Sequence, residues 1–193
     1  VRYPYTTDYL RACLPATVAD EVITGTASLP GRLASLASVS SSSSNNSSSS
    51  KSKYFRDAGP FPIRHPDLSL NNLIVTSDFE VRGVIDWEDA TTVPWTLVDA
   101  PVFLATVPRQ LNPAERYDRT TGMPLDDDEV ARWAGHQAYV DLVRDAETDA
   151  GTDHRLSDVL ADRDLQDFAA VVHLFALGKM GFYGRAMDHF EAT

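Results

Sequence analysis

The chain has 193 residues, of which 43% are hydrophobic and 23% charged, enough for one domain with a core and a shorter N-terminal piece. Its net charge of −11 argues against a nucleic-acid partner, whose phosphates need a basic surface, and is compatible with a cationic small-molecule substrate, although acidity serves solubility as readily. The single Cys13 excludes an intramolecular disulfide, His136, His154, His173 and His189 are too widely spaced for a zinc pair, and neither a membrane span nor a secretory signal is visible, which makes the cytoplasm the expected location.

Residues 1–39 are expected to form a helical, lobe-connecting segment with one short helix around Asp8 to Leu14. The chain opens on Val1 instead of Met, which implies processing or a partial chain: a truncated gene model, a fragment of a longer enzyme, or a natural short form that has lost catalysis. Ser40 to Ser50 contains only serine and asparagine, too polar to bury anything that would offset its ordering entropy. Residues 40–53 are therefore expected to be a disordered insertion, and 54–193 the globular domain.

The motif Arg64-His65-Pro66-Asp67-Leu68-Ser69-Leu70-Asn71-Asn72 follows, and after it Gly83-Val84-Ile85-Asp86-Trp87-Glu88. In H-x-D-x-x-x-x-N the carboxylate can orient a substrate hydroxyl and accept its proton, while the amide five residues later can hold Mg²⁺ through its oxygen. Leu73 to Thr76 and Val81 to Ile85 read as two strands joined by a Ser77-Asp78 turn. Such a hairpin would return the chain to its start and set Asp86 beside Asn72. Two hard oxygen ligands would result, with the remaining Mg²⁺ positions left to water and nucleotide phosphates. A lone Asp or Asn in a turn is ordinarily turn chemistry; the joint pattern ending in Asp86-Trp87 carries the reading. Trp87 itself is expected in the core, and Glu88 and Asp89 as solvated or helix-capping acids.

On these residues the sequence resembles the aminoglycoside phosphotransferase and choline kinase-like superfamily, with Asp86-Trp87-Glu88 where protein kinases carry D-F-G. The likeness is strong from Gly59 to about Pro101, weaker elsewhere, and nearest to fungal members through Phe61 to Asp67 and Thr92 to Asp99. It implies an α+β fold: a protein kinase-like C-lobe, mostly helical with a small catalytic-loop β-hairpin, and no N-lobe. It also implies an ATP- and Mg²⁺-dependent transfer to a small-molecule hydroxyl, with Asp67 as catalytic base or hydroxyl-orienting group and Asn72 and Asp86 as metal ligands. His65 would hold the loop, Ser69 would offer a hydrogen bond where protein kinases use Lys, and Asp99 would cap and brace the helical lobe.

The parts that grip ATP are missing. Only 64 residues precede His65, no G-x-G-x-x-G follows a strand, and Lys51 and Lys53 flank the serine tract. Gly178, Gly181 and Gly184 follow a helical run and read as close helix packing or chain punctuation. Helices are expected near 127–148 and 164–178, the first begun by the acids Asp126 to Glu129 and the second apolar enough to be a buried core helix, with His173 as a satisfied core residue. An acceptor pocket would draw on about Leu111 to Phe190, where Trp133, Tyr139, Phe182, Tyr183 and Asp188 could cage a cation or serve as core and surface. A chain without the nucleotide-holding lobe is expected to be nearly inactive alone. The alternative is a non-catalytic binding or regulatory module that keeps the metal site by descent; an active protein kinase is disfavoured because no A-P-E follows Asp86.

Overall fold

The computed structural model describes residues 4–41, 53–55 and 59–193. It is mostly helical with two small antiparallel two-stranded sheets, an α+β composition as expected. The chain divides into two compact units, one drawn from 1–56, 107–114 and 167–193, the other from 57–106 and 115–166. The insertion expected over 40–53 lies largely outside the described residues, apart from the end of a helix at Ser41 and a short turn at Lys53–Phe55.

The first unit contains α1 (Pro4–Cys13), α2 (Ala16–Ser41), the later part of α5 (Arg163–Ala176) and α6 (Tyr183–Ala192). Sequence reading placed one short helix before Leu36; the structure has two. The second was hidden because Gly25, Pro30 and Gly31 weaken intrinsic helix propensity, and tertiary packing overrides them. Ala19, Val22 and Leu29 form its buried seam, and Gly25 sits in register with them. An added Cβ on Gly25 would lie 2.7 Å from the backbone nitrogen of Gly184, so the absence of a side chain there permits α2 and α6 to touch. Arg32 ties the same helices through Asp188 at 2.8 Å, Glu191 at 2.6 Å and the Gly184 carbonyl at 3.1 Å. Arg185 pairs with Glu21 in a second clasp. The core centres on Tyr54, Phe168 and Phe190, whose rings lie 4.6 to 5.3 Å apart. This geometry favours offset and edge-on aromatic contact. Of the three glycines read as packing or punctuation, Gly184 packs and Gly178 ends α5 at φ 73°.

The second unit carries β1 (Ile63–Arg64), β2 (Leu73–Val75), β3 (Val81–Val84), β4 (Thr91–Thr92), α3 (Asp127–Ala150) and α4 (Arg155–Ala161). Asp126 caps α3 by accepting from the Glu129 N–H at 3.0 Å, so the acidic run begins the helix as its position suggested. Gly151, left-handed at φ 64°, ends it. The Glu147 carboxylate then accepts from the Leu156 and Ser157 N–H groups, starting α4. Ala100, Val140 and Leu160 form the core, flanked by Val98, Leu104, Tyr139, Val143 and Leu156. Buried Gln166 is fully used: its amide donates to the Val98 and Val159 carbonyls, and its oxygen accepts from the Ala100 N–H. Among the described residues no helix is long and apolar enough to cross a membrane.

The glycine contact between α2 and α6 is asymmetric. Gly184 has only the Cα of Gly25 near its missing Cβ, at 3.8 Å. Gly184→Ala should therefore be neutral or stabilising by up to about 1 kcal/mol from helix propensity. Gly25→Ala should destabilise by about 1–3 kcal/mol, since overpacking against backbone cannot be relieved by a rotamer change. Chemical denaturation of both variants checks the difference in sign.

Candidate functional site

The site is assembled on two short ladders. β1 pairs with β4 through Ile63 with Thr92 and Arg64 with Thr91, and the Val93 N–H extends the ladder to the Pro62 carbonyl at 3.0 Å. This strand delivers His65 to a loop ending in a turn at Leu70–Asn72, which runs directly into β2. β2 pairs with β3 through Leu73 with Val84 and Ile74 with Gly83. Their connection turns at Ser77-Asp78, closed by Phe79 N–H to the Thr76 carbonyl at 3.0 Å, with Phe79 left-handed at φ 62°. The Ile85 N–H adds a bond to the Asn72 carbonyl at 3.0 Å. The hairpin therefore returns Ile85 to the backbone level of Asn72, with Asp86 one residue beyond it.

His65 joins the two motif halves. Its Nδ1 accepts from the Asp67 N–H at 3.2 Å, so the ring proton belongs on Nε2, which donates to the Ile85 carbonyl at 2.9 Å. One neutral imidazole thus fixes the backbone at Asp67 and at the residue before Asp86. Both ring nitrogens are engaged, which leaves His65 no free nitrogen for proton transfer. The Trp87 ring meets the imidazole edge-on at 4.8 Å, and its Nε1 donates to the Val84 carbonyl at 2.8 Å. Trp87 is 52% exposed, which corrects its expected place in the core: it braces the histidine from the surface.

Asn72 is buried. Its Nδ2 donates to the Asp67 carbonyl at 2.8 Å and lies 3.4 Å from an Asp67 carboxylate oxygen. Both neighbours are acceptors, so the amide orientation is chemically determined, and Oδ1 is the atom left for a cation. Asp86 adopts φ 65°, a left-handed conformation uncommon outside glycine but one Asp tolerates. Its exposed carboxylate has no hydrogen-bond or ionic partner among the described residues. Asp67 is exposed, and the half-buried Ser69 hydroxyl is likewise unengaged among them. The structure therefore brings Asp67, Asn72 and Asp86 onto one strand, loop and hairpin unit, with His65 between them. No group of three His, Cys, Asp or Glu side chains suited to a metal occurs among the described residues. Asn72 and Asp86 each offer an oxygen donor, and Mg²⁺ in general takes few protein ligands, with phosphates and water completing its octahedron.

Asp99 braces the unit from the other side. It receives a bidentate fork from Arg64, Nε to Oδ1 at 2.8 Å and Nη2 to Oδ2 at 2.9 Å, with side chains only 19% and 26% exposed for Arg64 and Asp99. This brace reaches the strand that enters the loop carrying Asp67. Arg64 was visible in the motif, but its partner lies 35 residues away and no local sequence signal joins them. The side chains considered for a cation cage have other engagements. Trp133 carries the Arg163 guanidinium 3.4 Å from its ring centre, Phe182 carries that of Arg185 at 4.1 Å, Asp188 pairs with Arg32, and Tyr183 is buried. Burial pushes the phenol of Tyr139 up from its ordinary value.

Comparison with known proteins agrees with this geometry. Residues 52–139, just under half of the chain and including every motif residue, match the model of the phosphotransferase enzyme family, APH. No curated protein and no solved structure matches the chain.

The Arg64–Asp99 fork should show a coupling of about 1–2 kcal/mol in a double-mutant cycle with Arg64→Ala and Asp99→Ala, since charge-assisted bidentate bonds exceed exposed ion pairs. Arg64→Lys should recover less than half of it, because an ammonium cannot bond both carboxylate oxygens in a plane. Urea denaturation of the four proteins measures the coupling.

Proposed function

We propose that this chain is a kinase-like C-lobe that transfers the γ-phosphoryl group of ATP to the hydroxyl of a small molecule, a reading supported by the match of residues 52–139 to the model of the phosphotransferase enzyme family. The observation that carries the reading is the double engagement of His65, which locks the Asp67 backbone to the strand leading into Asp86. In phosphoryl transfer the protein's task is positioning and charge stabilisation; the two bonds of His65 support the positioning, and a bound Mg²⁺ would supply the charge stabilisation.

Asp67 would accept a hydrogen bond from the acceptor hydroxyl and take its proton as the oxygen attacks the γ-phosphorus. The bond from that phosphorus to the bridging oxygen breaks, and its electron pair leaves with ADP. Mg²⁺, held by Asn72 Oδ1 and the Asp86 carboxylate, would neutralise the charge gathering on the phosphate oxygens. Asn72 has a second task, because its Nδ2 fixes the Asp67 carbonyl and keeps the base at a set distance from the metal position. Ser69 can donate one hydrogen bond to the transferring group. The sequence contains no glycine-rich phosphate loop, so in this reading a second lobe covers the nucleotide. Without it, transfer would be slow, since even one lost charge-stabilising donor costs roughly 3 kcal/mol of barrier.

Calorimetric titration of Mg·ATP into the chain tests the site apart from turnover. Omitting Mg²⁺ or introducing Asp86→Ala should each weaken binding at least tenfold, about 1.4 kcal/mol. Asp67→Asn should leave binding within about twofold while abolishing any transfer, because the base acts after the nucleotide is held. A folded chain whose ATP binding is indifferent to both Mg²⁺ and Asp86 would sink the proposal and favour a non-catalytic module.

A further inference from the structure

We propose that a cavity of about 500 Å³ within the first unit, bounded by α1, α2 and the end of α5, binds a small amphipathic anion with an alkyl or aryl body and one carboxylate. None of its lining residues belongs to the phosphotransferase motif or to the matched segment, so the site stands apart from the transfer chemistry.

Its volume falls within the range of small-molecule pockets. Ile23, Thr26 and Ala27 recur at the spacing that puts them on one face of α2, and Phe175 and Met180 supply apolar surface from the chain leaving α5. That second wall is already formed. Gly178 ends α5 with its N–H on the Phe175 carbonyl at 2.9 Å, and the Lys179 N–H reaches the Leu174 carbonyl at 3.0 Å, the paired ending that satisfies a helix's last acceptors. The Tyr183 hydroxyl, on a buried side chain, donates to the Lys179 carbonyl at 2.8 Å, and its ring meets Phe175 edge-on at 5.8 Å. An apolar ligand would therefore meet a fixed surface and incur little ordering cost in the protein.

The polar groups select the ligand's charge. Lys179 is the one formally charged side chain among the described lining residues, and it pairs with no carboxylate among the described residues, in a chain whose net charge is −11. The Thr26 hydroxyl proton is already spent on the Val22 carbonyl at 2.7 Å, so anion recognition falls to the ammonium group. A cationic ligand would be repelled there, and a neutral one would gain at most a hydrogen bond from the Lys179 ammonium, without the charge attraction.

Titration of the 193-residue chain with octanoate and with octanol, followed residue by residue by NMR, tests this. Saturable shifts should centre on Ile23, Ala27, Phe175 and Met180, with octanoate bound at least about threefold more tightly than octanol, the scale of a solvent-exposed ion pair. Lys179→Gln should remove that preference, and Ala27→Trp should fill the cavity and abolish the shifts. Lys179 is exposed, so its replacement leaves the fold intact, and the two titrations of the unaltered and Lys179→Gln chains decide the matter even if Ala27→Trp fails to fold. Equal affinity for the alcohol, shifts scattered over other surfaces, or no saturable shift at millimolar octanoate would overturn the proposal.

Discussion

The imidazole of His65 is the contact on which the candidate site depends, because its two nitrogens bond to backbone groups 18 residues apart that must be held together. The ladder of β2 and β3 brings Asn72 and Ile85 to one level, yet a two-stranded hairpin alone is marginally stable in water. His65 adds a bond at the hairpin's open end and, through the same ring, fixes the loop that carries Asp67. Protonation on both nitrogens would convert Nδ1 from acceptor to donor and break the bond to the Asp67 N–H. The neutral Nε2-protonated tautomer is thus a structural requirement, and it explains why a histidine beside a carboxylate serves here as a fastener.

Little apolar burial supports that fastener. Ile74, Val75, Phe79, Val81 and Ile85 along the hairpin are all exposed, Phe79 by 85%, while the core of the second unit gathers around Ala100, Val140 and Leu160. The motif is held instead by directional polar contacts: His65 to Ile85, Asn72 to Asp67, Trp87 to Val84, and the Arg64–Asp99 fork. Such contacts are individually modest in net stability but strict in geometry. The proposed phosphoryl-transfer centre would need geometry more than burial, since misplacement by an ångström is costly in rate. The left-handed backbone at Asp86 fits the same logic, because local strain persists only where surrounding bonds over-determine it.

What was legible in the sequence was local. The hairpin could be read from apolar runs around Ser77-Asp78, the start of α3 from its acidic cap, and α5 from its apolar run, because each signal lies within a few residues of the structure it specifies. α2 was not legible, since its glycines and Pro30 argue against a helix and its justification is the approach of Gly184 some 159 residues later. α6 was obscured for the same reason: Gly184 reads as punctuation until its partner helix is known. Trp87 was misplaced because composition assigns a tryptophan to the interior, whereas an exposed imidazole edge can also hold one. Of the site, the residue identities could be read from the motif, but the Arg64–Asp99 pairing could not.

The acidic composition does not by itself locate a cation-binding surface. Carboxylates outnumber basic side chains by 28 to 17, which invites a cationic acceptor. In the structure three arginines occupy partners such a ligand would need. Arg163 covers Trp133, Arg185 covers Phe182, and Arg32 engages both Asp188 and Glu191. A cationic acceptor at these positions would have to displace a tethered guanidinium, whose effective concentration is high because the chain already holds it there. The excess of acid is thus no measure of free cation-binding surface. Acceptor choice in the proposed transfer would follow from the shape and polar groups around Asp67, while Lys179, which pairs with no carboxylate among the described residues, marks the proposed anion site.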